Sequence, residues 1–288
     1  RMRNYLLAAV SVGFLTACAA ANGSLASTAE AQTPEASATP MVSRNLSGVW
    51  QVLNTANDNV EAHDAKASYQ LREGPVTPVP ASDVVAMGAV AAVPPGPSVI
   101  EGRQTLPYLP GGAEKAAENI TDWVNNDPEV KCYLPGVPRA TYLPHPFEII
   151  QNDGQMLIVY EYANTVRNIF LEDPGEAPVD SWMGQSYGYW AGDTFVIEVT
   201  GQNGSSWLDR AGNHFSDEAA ATELYTPTGP DHIAYTAPVD DPETYSEPFT
   251  LEMTLYRLKG ADARIEDFNC VPFVEEKLFG HLRTEPLQ

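Results

Sequence analysis

From residue 145 onward, large apolar side chains recur at every second position. In "FTLEMTLYRL" Phe249, Leu251, Met253 and Leu255 point one way, and Thr250, Glu252, Thr254 and Tyr256 the other. That is the period of a strand with one buried face. "TFVIEVTG" repeats the pattern with Phe195, Ile197 and Val199, and "TVRNIFL", "YGYW", "ATELYT", "HIAYTAPV" and "RIEDFNC" read as further short strands. "PFEIIQ" and "QMLIVYEY" flank Asn152-Asp153-Gly154, and "YGYW" and "TFVIEVTG" flank Gly192-Asp193. Both junctions carry the glycine that hairpin turns require. Upstream, "LSGVWQVL" (47–54) predicts one more strand. The period changes only in "GAEKAAENITDWVNN" (112–126), where Ala117, Ile120 and Val124 fall on one helical stripe.

Roughly eight to ten short strands joined by short connections, with one helix, predict a mainly β fold. Residues 44–288 form a single antiparallel β-barrel or a sandwich. The order of successive hairpins favours the barrel, because closure removes exposed strand edges. Residues 75–112 ("PVTPVPAS", "AAVPPGPS", "LPYLPGG") are rich in proline, alanine and glycine. They suit a surface crossing and not the centre of a sheet.

The N-terminus has a different composition. "RMRNYLLAAVSVGFLTAC" has a short basic start, about a dozen mostly apolar residues and small residues before Cys18. This predicts a secretory signal over 1–17, with the natural start at Met2 and Arg1 as an upstream scar. Leu15-Thr16-Ala17-Cys18 resembles a bacterial lipobox, in which the signal is cut before a cysteine that then carries lipid. Ala19, in place of an aspartate, resembles the sorting pattern for the outer membrane. The expectation is therefore an envelope lipoprotein held at the membrane by its lipid alone. Residues 18–43 hold almost nothing large and apolar, and are expected to be a disordered tether with a reach of about 25–30 Å.

Charge narrows the partners. The formal net charge is −22, and loss of Arg1 and Arg3 with the signal takes it to −24. A surface of that sign repels phosphate backbones, which excludes nucleic acid as a partner. In an oxidising compartment the two cysteines left after lipidation, Cys132 and Cys270, are expected to form a disulfide.

Several groups could carry chemistry. Gly184-Gln185-Ser186-Tyr187-Gly188 matches G-x-S-x-G, with Asp209 and His214 following in hydrolase order. A nucleophile elbow, however, needs a helix after the serine, and a strand–turn–strand follows here. If residues 163–165 form a three-residue loop, Glu161 and Arg167 become a cross-strand pair. On an outer face that pair is a structural ion pair; inside a barrel it is a polar feature of a cavity, with Glu161 available as a base. Glu148, Tyr160, Arg139, Trp190, Trp207 and Asp209 are the candidate ligand-binding residues. Arg139 either fixes an anionic ligand or binds backbone carbonyls or an acid in a proline-stiffened turn. His145 between two prolines suits a rigid loop. Asp209, His214 and Asp217 make the densest grouping of metal-ligand types, but they read as solvated loop residues, so neither a metal nor a cofactor is expected.

Two resemblances bear on this pattern. Gly48-Val49-Trp50 at the first strand resembles the G-x-W that opens lipocalin-like barrels, where the tryptophan plugs one end. "CYLPGVPR", "PFEIIQ", "YEYANTVRNI", "WMGQSYGYWAGDTFVIE", "SSWLDRAGNHFSDE", "TELY" and "DDPETYSEPFT" together resemble a large family of exported bacterial proteins with no assigned reaction. That resemblance implies one β domain and cysteines at the positions of Cys132 and Cys270. The family commonly carries arginine, glutamate, histidine and arginine where this chain has Tyr189, Ala191, Phe215 and Leu224. His214 stands one place out of step with the family histidine. If the family acts through those charged groups, this chain has lost or altered the activity.

The leading expectation is a lipoprotein whose barrel binds a small, largely apolar molecule. The alternatives are a periplasmic lyase, isomerase or hydrolase using Glu161 or Glu148 as base, Arg167 as stabiliser and His214 as acid, and a structural envelope protein.

Overall fold

Alternating strands with one apolar face are stable only when that face is covered, and here the sheet covers it by closing on itself. In the computed structural model, which describes residues 44–67, 92–268 and 270–271, the strands are β1 (Gly48–Val52), β2 (Lys66–Ala67), β3 (Ala92–Val93), β4 (Phe147–Asn152), β5 (Gln155–Tyr160), β6 (Thr165–Phe170), β7 (Gln185–Ala191), β8 (Thr194–Thr200), β9 (Ala220–Gly229), β10 (His232–Asp240) and β11 (Phe249–Arg257). The short helices are α1 (Gly112–Thr121), α2 (Trp123–Asn126) and α3 (Arg139–Tyr142). The expected signal peptide, Cys18, the tether to residue 43 and residues 75–91 of the proline-rich region lie outside the described residues. Among the described residues no helix is long and apolar enough to cross a membrane.

Nine strands form a closed barrel in the order β1-β11-β10-β9-β8-β7-β6-β5-β4, and β4 pairs back to β1. Closure decides between barrel and sandwich. Every junction is antiparallel except β6–β7, which run parallel over Ile169↔Ser186 and Phe170↔Tyr187. Pro174, Gly175 and Pro178 keep the intervening segment out of the sheet. It doubles back, so β7 begins beside the last residues of β6 and runs in the same direction. β2 and β3 pair with each other outside the barrel.

The two ends differ. Tight turns after β4, β7 and β9 define a hairpin end. Three long connections (53–146, 201–219 and 241–248) gather at the opposite, loop end, and a fourth, 171–184, leaves β6 at the hairpin end.

At the hairpin end Trp50 is buried and its indole Nε1 donates to Leu46 O at 2.8 Å. The Arg257 guanidinium lies 4.2 Å from the Trp50 ring centroid and donates to Ser47 O and Pro230 O, both at 2.8 Å. Gly48 allows this packing. Its φ is +141°, and a Cβ there would sit 1.9 Å from Arg257 Nη1. The Gly-x-Trp spacing thus serves a tryptophan–arginine closure of the hairpin end.

At the loop end, residues 205–218 fold inward as a plug. Leu208, Asp209 and Phe215 are buried, and Tyr142 of α3 donates to Leu208 O at 2.7 Å. The Cys132–Cys270 disulfide forms beside this end, with a Cα–Cα distance of 5.8 Å.

Two expected elements change. The helix breaks into α1 and α2, and its buried stripe is Ala116, Asn119 and Trp123, while Ala117 is exposed. Asn119 turns inward because its Nδ2 donates to Gly212 O at 3.0 Å, a polar contact that an apolar-stripe reading cannot register. "RIEDFNC" forms no strand among its described residues. Instead Glu266 N donates to Glu161 Oε2 at 2.9 Å, and Phe268 packs on His145 and Tyr162.

Candidate functional site

Inside the barrel, large side chains such as Phe147, Ile158, Phe195, Tyr225, Tyr235 and Leu251 fill the middle. Among them lies a buried ion pair. Arg167 of β6 and Glu223 of β9 approach to 2.6 Å between Nη1 and Oε2, with the Glu223 side chain fully buried. The other carboxylate oxygen, Oε1, accepts from the hydroxyls of Tyr235 (2.8 Å), Tyr225 (3.0 Å) and Thr141 (3.1 Å). Arg167 Nε donates to Ser186 Oγ at 2.8 Å and Nη1 to the Tyr160 hydroxyl at 3.3 Å, while Nη2 has no hydrogen-bond partner among the described residues.

Burial works against the Arg167 charge, but Glu223 together with Tyr160 and Tyr225 overcomes it and holds the guanidinium pKa above its ordinary value. Burial, reinforced by the Glu223 charge, raises the Tyr225 and Tyr235 hydroxyls. Burial likewise raises Tyr160, against the pull of Arg167. The three phenols stay protonated; Tyr225 and Tyr235 donate to Glu223, while Tyr160 accepts from Arg167. They neutralise and orient the ion pair and do not present a base to solvent.

The expected pairing of Glu161 with Arg167 does not form. β5–β6 register places Tyr160 opposite Thr165 and Ile158 opposite Arg167. Tyr162–Asn164 form a 3₁₀ turn, with Ala163 and Asn164 at positive φ. This four-residue connection shifts the register and leaves Glu161 at the loop end. There its carboxylate lies 3.4 Å from His145 Nδ1. His214 is elsewhere again. It bridges to Trp207, stacks on Tyr108 at 5.6 Å, and burial lowers its pKa. Glu161, Arg167 and His214 therefore occupy three separate settings.

The remaining candidates sort by face. Glu148 points outward on β4, in register with Val49 and Val159. Tyr160 belongs to the interior network. Trp207 and Asp209 are buried in the plug, where the Asp209 carboxylate accepts from Val60 N (2.8 Å), Ala211 N (2.8 Å), Asn213 N (3.3 Å) and Asn213 Nδ2 (2.7 Å). Burial still pushes its pKa up to about 6. Ser186 of the G-x-S-x-G sequence lies in a strand facing the barrel, bonded to Arg167 and apart from Asp209 and His214. No cluster of metal-ligand residues exists among the described residues.

Arg139 is structural. It is 1 % exposed, donating from Nε to Asn57 Oδ1 at 3.0 Å and from Nη2 to Glu129 Oε2 at 2.7 Å. Arg210 also holds Glu129, from Nε at 2.9 Å and Nη2 at 2.5 Å. Burial opposes the Glu129 charge, but Arg210 and Arg139 overcome it and bring the pKa down to about 2. Asp127 beside them, bonded by Glu129 N at 2.9 Å, is pushed up to about 7 by burial and by the Glu129 charge, against Arg139.

The sign for Asp127 follows directly. A raised carboxyl pKa gives stability that is complete below the ordinary value near 4 and lost as pH rises through about 7. Asp127→Asn keeps an oxygen for the Glu129 N–H and removes the charge. We expect it to stabilise the fold at pH 8 by on the order of 2 kcal/mol and to have little effect at pH 4. Thermal melts at both pH values check this, and a variant equally destabilised at both would refute it.

A cleft of about 560 Å³ opens at the hairpin end, where the short parallel β6–β7 contact leaves the wall thin. Met156, Gly188, Trp190 and Phe195 form its floor, Leu171 and Tyr189 one side, and Arg44, Asn45, Gln151, Asn152 and Asp153 its rim. Trp190 meets Phe195 edge-on, with centroids 5.2 Å apart. Gly188 is required there, because a Cβ would come within 2.6 Å of Ile169 and 2.7 Å of Phe195. Of the residues expected to bind a ligand, Trp190 alone lines this cleft.

Glu223, Asp127, Glu129 and Arg44 escaped the sequence reading. Glu223 had a usable signal: alternation in "ATELYT" puts it on the same inward face as Ala221 and Tyr225. The others depend on contacts between distant segments. Against known proteins, no family model matches the chain and no curated protein is similar to it in sequence. Tyr189 and Leu224, two of the departures from the resembled family, flank Val196 in register on the outer wall.

Proposed function

We propose that the protein is an exported binding protein, lipid-anchored through Cys18, that takes a small, largely apolar molecule in the cleft at the hairpin end of its barrel. The observation that carries this reading is the cleft itself. Its volume of about 560 Å³ lies in the range typical of small-molecule sites, and its floor of thioether and aromatic side chains under a polar rim has the expected composition. Packing in the barrel centre directs a ligand to this end and not to the middle. The separation of Glu161, Arg167 and His214 gives the acid–base alternative no common site. The apolar run ahead of Cys18 supports export and anchoring.

The test is a fluorescence titration with N-phenyl-1-naphthylamine, an uncharged probe that brightens in apolar surroundings. We expect saturable one-to-one binding, weakened about tenfold by Trp190→Ala, a loss of roughly 1.4 kcal/mol. An unchanged thermal midpoint shows that the variant is folded. Absence of saturable binding, or equal binding by folded Trp190→Ala, would sink the proposal.

A further inference from the structure

Arg44 at the rim of the cleft differs from the other described arginines. Arg103, Arg139, Arg167, Arg210 and Arg264 each pair with a carboxylate, and Arg257 holds two backbone carbonyls. Arg44 has no carboxylate or carbonyl partner among the described residues, and its guanidinium lies 5.8 Å from the Trp190 ring centroid. In a chain of net charge −22 an uncommitted cation is conspicuous.

Its backbone is held in place. Gln151 Nε2 donates to Arg44 O at 2.9 Å, and Gln151 Oε1 accepts from Leu46 N at 2.9 Å. One side chain of β4 thus fixes the approach to β1 and sets Arg44 beside the cleft. Asp153 is the one carboxylate lining the cleft. It sits in the exposed β4–β5 turn, where water and salt screen it.

Resting on the proposed cleft function, we infer that the ligand carries an anionic head group, a carboxylate or sulfonate, seated on Arg44 with its apolar body against Trp190. A planar guanidinium offers parallel donors to such a group, and the ring beneath keeps its stacking face. Cation and apolar floor together select an amphipathic anion over a neutral apolar molecule of the same shape.

Two probes separate the contributions: 8-anilinonaphthalene-1-sulfonate, and N-phenyl-1-naphthylamine, which has the same ring system without the sulfonate. With the full chain we expect the sulfonate to bind more tightly. Arg44→Gln should weaken the sulfonate about fivefold to tenfold and leave the amine unchanged, with Arg44→Lys intermediate. Raising salt from about 0.05 M to about 0.5 M should weaken only the sulfonate on the unaltered protein. If both probes bind and Arg44→Gln leaves their ratio unchanged, the anionic head is refuted while the cleft survives. If neither binds, the cleft reading fails and takes this inference with it.

Discussion

Arg167→Leu will lower the unfolding free energy by about 3–5 kcal/mol, measured by urea unfolding at neutral pH. The replacement leaves Glu223 fully buried with the hydroxyls of Tyr225, Tyr235 and Thr141 but no counter-charge. An uncompensated charge in a low-dielectric interior costs more than the pair contributed while intact. Replacing both partners, Arg167→Met with Glu223→Leu, should recover part of the loss, because no charge is left buried, although the hydroxyls of Tyr225, Tyr235 and Thr141 lose their acceptor. A loss under about 1 kcal/mol for Arg167→Leu alone would mean that water reaches the ion pair. The barrel centre would then be open, and the ligand would no longer be confined to the hairpin end.

This ion pair also marks the limit of what the sequence makes legible. Period-two alternation locates the strands, because an inward face of Phe195, Ile197 and Val199 is a local property of one segment. Barrel closure was reachable from the hairpin order, since a sheet of this many strands must cover its edges. The parallel β6–β7 junction was not, because it depends on where an irregular segment returns after Pro174 and Pro178. Register was the weakest point. Assigning Glu161 to Arg167 needed the length of one turn, and two left-handed residues at Ala163 and Asn164 altered it. Arg167 therefore meets Glu223, which is 56 positions away in the chain. Trp190 was legible as an aromatic at a strand end beside a glycine turn. Arg44 was not, since it becomes a rim residue only when Gln151 draws the N-terminal segment onto β4.

Removing the disulfide with Cys132→Ser and Cys270→Ser should cost about 5 kcal/mol, again read by urea unfolding. The bond joins residues 138 positions apart, so its loss frees a very long loop in the unfolded chain. Against a typical total of about 5–15 kcal/mol, the loss would leave a marginal fold. The full effect requires that the folded state stay unchanged when the bond is cut. Local contacts support that: Phe268 packs on His145 with centroids 4.6 Å apart and on Tyr162 at 5.4 Å, and Asn164 Nδ2 donates to Phe268 O at 3.2 Å. If those contacts are too weak without the bond, residues 264–271 will peel away from the β5–β6 turn, and the folded state will share the freedom gained by the unfolded one. The measured loss would then fall below about 2 kcal/mol, and hydrogen exchange would show early opening confined to that segment. A loss near 5 kcal/mol with uniform protection identifies the disulfide as a constraint on the whole barrel. A small loss with local opening reduces it to a clip on one loop.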